Sequence, residues 1–230
     1  MKTIINHARV NRRARLSNIM SMGGLALLLI SVLVPLFLPA LANVAYVLMF
    51  AGLGMAMIGI YFANRWVRKP RPEESLAKAL RSLDDQHHLY HYPSLPCDHL
   101  LLTPTGLVLL EVINLAGDFS YKDGRWKEAM SIGRALRYIV EERVSNPIRT
   151  AQQVVDELRG QLKKEFNSTP SIPIRPVVVF THPLVQLTLD TAPVAVCKVD
   201  KLKKHIASKA ARLTPDLYGS LDSYLEKQTM

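Results

Sequence analysis

The chain has 230 residues, 49% of them hydrophobic and 21% charged, with 29 Lys and Arg against 19 Asp and Glu for a net charge of +10. Its only cysteines, Cys97 and Cys197, lie far apart in sequence, which argues against a disulfide framework. The length suits one sizeable domain plus an appendage.

The appendage comes first. Residues 1–18 carry Lys2, Arg9, Arg12, Arg13 and Arg15 with no acid, and no charged residue follows from Ile19 to Phe62. That run is far longer than the roughly 20 residues that cross a bilayer once, and it fits two spans joined by a tight turn. Pro35 and Pro39, followed by Leu41-Ala42-Asn43, mark the turn, so the spans are predicted at about Ile19–Phe37 and Asn43–Asn64. A cleaved signal peptide fits poorly, because the apolar run is too long and a second span follows at once. Arg65, Arg68, Lys69 and Arg71 close the hairpin, and the positive-inside rule puts both termini in the cytoplasm of a two-span cell-membrane protein. Tyr61 and Trp66 sit where interfacial aromatic anchors are expected, and Gly23, Gly24, Gly52, Gly54 and Gly59 let the two helices pack closely. Without the five cations of residues 1–18, 24 Lys and Arg stand against 19 Asp and Glu, a mild net of +5. The basic flanks are matched more simply to anionic lipid headgroups than to nucleic acid.

Residues 65–72 read as a basic, proline-containing linker, and 73–230 as a cytoplasmic domain. Glu73-Glu74 open a helix whose first turn favours negative charge, with Leu76, Leu80 and Leu83 at helical spacing and Glu73 on the same face. A short strand is predicted near Leu89–Tyr92. A β-hairpin follows in CDHLLLTPTGLVLLEVIN, turning at Thr103-Pro104-Thr105-Gly106. In a symmetric loop Leu102 faces Leu107, Leu100 faces Leu109 and Asp98 faces Glu111, each pair of numbers summing to 209. Facing Cβ atoms lie about 4.5–5.5 Å apart, so two carboxylates there repel unless something positive lies between them, and a divalent cation is the natural candidate. Leu107, Leu109, Glu111 and Ile113 share one strand face. The plainer reading is a hairpin whose acidic ends reach water, yet Glu111 interrupts a run apolar on both faces, where an unpaired charge is expensive.

His87, His88 and His91 precede Cys97, but their spacing matches no common zinc site. A second hairpin turns at Asp123-Gly124 within Tyr121–Trp126. Arg134, Arg137, Arg143 and Arg149 are candidates to follow a phosphate backbone, yet Arg134, Arg137 and Tyr138 also fit the wet face of a helix after Ser131. Asn146-Pro147 begins a helix to about Phe166 with Ala151, Val155, Leu158 and Leu162 buried. Strands are predicted at Pro176–Phe180 and Val194–Val196, and helices near Lys201–Lys209 and Pro215–Lys227. This order gives an α/β or α+β domain.

The stretch CDHLLLTPTGLVLLEVINLAGDF, followed by DGRW, NPIRTAQQVVDELRGQL and PVVVF, resembles the nuclease-related domain (NERD) family, a branch of the PD-(D/E)xK nuclease-like superfamily. The resemblance covers about Glu73 to Leu202. It implies a restriction-endonuclease-like α/β (α+β) domain, a central mixed sheet flanked by helices. It also implies a Mg- or Mn-dependent hydrolase of DNA or RNA phosphodiesters, with Glu73, Asp98 and Glu111 as its catalytic metal ligands. Three departures stand out: Ile113 occupies the lysine position, Pro72 stands where glycine often precedes the helix glutamate, and Thr150 replaces a glutamine after Asn-Pro. Losing one preorganised donor such as that lysine costs about 10²–10³-fold in rate. Lys122 is the nearby candidate for a migrated lysine, and an exposed lysine flanking a turn is the simpler reading of it. Two functions follow: an impaired membrane-anchored nuclease, or a catalytically silent tethered module binding nucleic acid or a protein partner. A purely structural membrane hairpin is the third.

Overall fold

The computed structural model describes residues 1–129, 146–166, 172–207 and 210–230. These fall into two compact units, one spanning His7–Arg71 and the other combining Met1–Asn6 with the chain from Pro72 onward.

The first unit is a helical hairpin. Helix α1, His7–Phe37, and helix α2, Ala42–Trp66, are joined by a 3-10 turn at Pro39–Leu41. Both helices are long and apolar enough to cross a membrane, and most of their large apolar side chains are exposed. Helix α1 starts at His7 rather than Ile19, because the basic segment ARVNRRARL is rich in Ala, Arg and Leu, all good helix formers. The buried positions recur every seven residues: Val10, Ser17, Gly24 and Ser31 on α1, Ala45, Gly52, Gly59 and Trp66 on α2. A seven-residue period keeps one seam turned toward a partner helix. The seam is tight. A Cβ added to Gly24 would lie 2.6 Å from the Ala56 amide nitrogen, and one on Gly52 3.0 Å from the Gly24 carbonyl oxygen. Small residues are what permit this approach, and the Ser17 hydroxyl uses it to donate to the Gly59 carbonyl at 3.0 Å.

The second unit is a mixed α/β domain. In chain order it comprises β1 (Lys2–Ile5), α3 (Pro72–Leu80), β2 (His88–His91), β3 (His99–Thr103) and β4 (Gly106–Ile113). Then follow β5 (Gly117–Lys122), β6 (Arg125–Glu128), α4 (Pro147–Glu165), β7 (Ile174–Phe180), β8 (Val185–Leu189), β9 (Ala195–Lys198), α5 (Leu202–Ile206) and α6 (Pro215–Thr229). Six strands form the main sheet in the order β1-β2-β3-β4-β7-β9, and β6-β5-β8 form a second sheet. The main sheet is mixed: β2/β3 and β3/β4 are antiparallel, whereas β1/β2, β4/β7 and β7/β9 are parallel.

Helices cover both faces of the main sheet. On one face Leu76 and Leu80 of α3 and Leu202 and Ile206 of α5 pack with Leu101, Val108, Leu110 and Val179. On the other, Ala151, Val155 and Leu158 of α4 and Leu221 and Leu225 of α6 pack with Leu100, Leu107, Leu109 and Val178. Strand β4 is therefore buried on both faces, as its apolar run requires. Asn146 caps α4 by accepting from the Ile148 and Arg149 amides, with Pro147 opening the helix.

The β3/β4 turn follows the expected register, with Leu100 opposite Leu109 and Leu102 opposite Leu107. Gly106 closes it at φ +131, and a Cβ there would stand 2.4 Å from the Pro173 carbonyl oxygen, so glycine is required. The β5/β6 turn places Asp123 and Gly124 both at positive φ, 50 and 74, as a primed two-residue turn demands. Strand β2 ends one residue before the expected Tyr92, whose backbone turns left-handed at φ 58.

One placement corrects the reading of the N-terminal segment. Residues 2–5 do not stand apart from the domain but form its edge strand, pairing Lys2–Ile5 with His88–His91 in parallel. Thr3, Ile4 and Ile5 are β-branched, which favours a strand, and Ile4 packs against the main core. Strand β8 is likewise additional.

Candidate functional site

Glu73 is the second residue of α3 and shares its buried face with Leu76 and Leu80; it is 2% exposed. Its Oε2 accepts a hydrogen bond from the Tyr92 hydroxyl at 2.9 Å. The Tyr92 backbone amide in turn donates to the Asp98 carbonyl at 2.6 Å, so one left-handed tyrosine links the α3 carboxylate to the entry of β3. A non-glycine residue in that conformation costs roughly 1–3 kcal/mol and persists only where its surroundings hold it. Here the two hydrogen bonds do so. His91 and His99 complete this buried cluster, with their Nδ1 atoms 2.8 Å apart and the Tyr92 ring centroid 5.0 Å from that of His99.

Asp98 is half-buried and directly precedes β3, while the β3/β4 ladder ends at Leu100 and Leu109. Glu111, also half-buried, is paired through its backbone on the other side with Val178 of β7. By strand alternation Glu111 belongs with Leu107, Leu109 and Ile113 on the α4/α6 face, whereas Glu73 descends from α3 on the opposite face. Among the described residues no group of three or more His, Cys, Asp or Glu side chains is arranged to hold a metal ion. Glu73 therefore reaches the sheet from the α3 side, while Asp98 and Glu111 stand at the adjoining ends of β3 and β4.

The lysine position is occupied by core. Ile113 is 8% exposed, pairs with Phe180 across β7, and belongs to the same cluster as Phe119 and Phe180. Phe119 and Phe180 lie 5.0 Å apart by ring centroid, with Trp126 stacked 5.9 and 6.0 Å from them. Lys122 is exposed and lies across from Arg125 beside the β5/β6 turn.

The histidines near Cys97 find separate partners. His87 pairs with Asp84, and His88 with Asp222, which also accepts from the Tyr90 hydroxyl. Cys97 and Cys197 are both buried free thiols, and burial pushes the Cys197 thiol up to about 12. Arg134, Arg137, Tyr138 and Arg143 lie outside the described residues; Arg149 is exposed on α4.

The family comparison accords with this geometry. Residues 70–181 match the family model for the nuclease-related domain, NERD. The chain contains a nuclease-related domain. The match runs from the linker before α3 to the residue after β7, so β1 and everything from β8 onward lie outside the matched segment. No curated protein and no solved structure matches the chain.

Sequence reasoning named the three carboxylates but missed Tyr92, His91 and His99 as a buried unit. The available signal was His91 and His99 equidistant from Ser94–Pro96, a loop that brings them into register. Burial, and then the proximity of His99, hold the His91 imidazole well below its ordinary value of 6.5. In the unfolded chain His91 takes up a proton near pH 6.5, while in the folded NERD domain it does so only at lower pH. This contribution to stability is therefore fully present above pH 6.5 and falls as the pH drops below it, with a slope of up to about 1.4 kcal/mol per pH unit. Urea unfolding at a series of pH values checks this, and H91Q is expected to remove that part of the slope.

Proposed function

We propose that the chain is a membrane-tethered NERD domain, with both ends in the cytoplasm, that binds nucleic acid without cutting it. The observation that carries this reading is Ile113, buried among Phe119 and Phe180 where a lysine would orient the attacking water. No hydrolytic step is assigned to the domain.

The sheet supports the topology. Residues 2–5 precede the hairpin and pair directly with residues 88–91, which follow it, so both flanks belong on one side of a membrane. Two crossings satisfy that requirement and one does not. The arginines at the same end assign that side to the cytoplasm by the positive-inside rule.

The test uses the full-length chain in detergent, assayed with labelled single- and double-stranded DNA and RNA, with and without Mg²⁺ or Mn²⁺. Binding that is independent of metal and survives E111A, with no cleavage, is the expected result. Metal-dependent cleavage abolished by E73A, D98A or E111A would establish the impaired nuclease instead. No binding to any oligonucleotide would leave the NERD domain as a scaffold for a protein partner.

A further inference from the structure

The positive charge of the NERD domain is unevenly placed. Residues 73–230 hold 20 Lys and Arg against 19 Asp and Glu, which is close to neutral. Two short segments, 76–83 and 198–206, together hold six cations and one acid, leaving 14 cations against 18 acids in the remainder.

The fold brings these two segments together. Helix α3 packs against α5 and against the 3-10 turn Val199–Lys201 that leads into it, with Leu76 and Leu80 meeting Leu202 and Ile206 in one apolar cluster. Burial of those residues turns Lys78, Arg81, Lys201, Lys203 and Lys204 outward, all of them exposed, and Lys198 is half-buried at the end of β9. The Lys203 Nζ donates to the Ser82 hydroxyl at 2.8 Å, which ties α5 to the residue beside Arg81. The acids at the border of this ridge leave its charge in place. Asp84 is held by His87 and Asp85 by the Met1 amino group, Glu74 stands one turn before Lys78, and Asp200 is the one acid within the two segments. Among the described residues none of the six cations is in an ion pair.

We propose that this basic ridge of α3 and α5 is the surface by which the NERD domain engages nucleic acid, holding the phosphate backbone of a duplex without reading its sequence. The proposal rests on the nucleic-acid reading above and gives it a location. Five of the six cations are lysines, compact charges on flexible stems, and they are spread along two elements instead of converging on one point. That distribution suits a row of phosphates better than a single small anion. Neither segment contains Phe, Tyr or Trp, so a single strand finds no platform on which to stack its bases. Neither contains Asn or Gln, and Arg81 is the one guanidinium, so base edges meet little that could read them.

The experiment uses the full chain in neutral detergent with EDTA present, titrated into labelled DNA and RNA duplexes of two unrelated sequences over a series of potassium chloride concentrations. In R81Q/K201Q/K204Q, duplex binding near physiological salt is expected to weaken about five-fold for each cation removed, equally for the two sequences. The slope of log affinity against log salt should flatten by about 0.9 for each. The tighter binder of the DNA and RNA duplexes identifies the source of the phosphates, and the loss appears in it. The matched variant K163Q/K164Q/K227Q removes the same charge from α4 and α6, on the opposite face of the main sheet, and keeps the original slope. An unchanged slope in R81Q/K201Q/K204Q, an equal loss in both variants, or tighter binding of a single strand than of a duplex overturns the proposal. So does phosphatidylglycerol binding that is lost in R81Q/K201Q/K204Q while duplex binding persists, which would make the ridge a membrane-facing surface. Failure of the unmodified chain to bind any oligonucleotide defeats the nucleic-acid reading itself, whereas binding that ignores these three cations defeats this proposal alone.

Discussion

Replacing Ile113 by lysine lowers the unfolding midpoint of the NERD domain and creates no nuclease. The side chain at this position is surrounded by apolar partners: Phe180 opposite on β7, Phe119 from the second sheet, and the stacked Trp126 beyond them. An ammonium group there loses its water among these apolar side chains. Burying an unpaired charge of this kind costs roughly 3–5 kcal/mol. For a domain of this size that corresponds to a fall in Tm of roughly 6–20 °C. The conservative change I113V, which removes only one methylene, is expected to cost about 1 kcal/mol. Differential scanning calorimetry of both variants, with a cleavage assay in Mg²⁺, decides the matter. An I113K chain that melts with the unmodified one and cuts DNA would mean that the site had kept its polar pocket.

The second large effect comes from the edge strand. The Lys2 and Asn6 amides donate to the carbonyls of His87 and His91, and in a parallel ladder the residue midway, Ile4, donates in the same direction. Thr3 points its amide away from β2. I4P therefore removes a ladder donor, disturbs packing of Ile4 on the core, and is expected to cost roughly 3 kcal/mol, whereas T3P at the open edge costs less than about 1. Hydrogen exchange reports the location: amides of His88–His91 lose protection in I4P and keep it in T3P. Equal behaviour of the two variants would show that β1 contributes nothing to the sheet.

Much of this architecture was legible because local chemistry and periodicity agreed. The Thr-Pro-Thr-Gly turn set the β3/β4 register, Asn146-Pro147 marked the start of α4, and the stripe Ala151, Val155, Leu158 and Leu162 is buried as its spacing required. The uncharged run gave two apolar helices joined near Pro39. What escaped was non-local. Strand β1 is four residues long and finds its partner more than eighty residues away, beyond any window of periodicity. The carboxylates share a motif, but which sheet face each one meets depends on α3 packing opposite α4, a tertiary choice. Tyr92 escaped for a different reason: a tyrosine at positive φ has no propensity signature, and only the partners Glu73 and Asp98 reveal why it is tolerated. The seven-residue seam of the hairpin was present in the sequence but masked by a background in which nearly every residue is apolar.

The position of β1 before the hairpin also fixes an order of events in synthesis. Lys2 pairs with His88, and at roughly 5–20 residues per second about 4–17 s separate their emergence from the ribosome. On the spanning reading proposed above, two apolar helices enter the bilayer during that interval while the first strand waits unpaired. A chain whose hairpin is mis-inserted strands its β1 segment across the lipid from β2, and its sheet is left with an open edge for quality control to find. On that reading, the folded domain is a built-in receipt for correct membrane insertion.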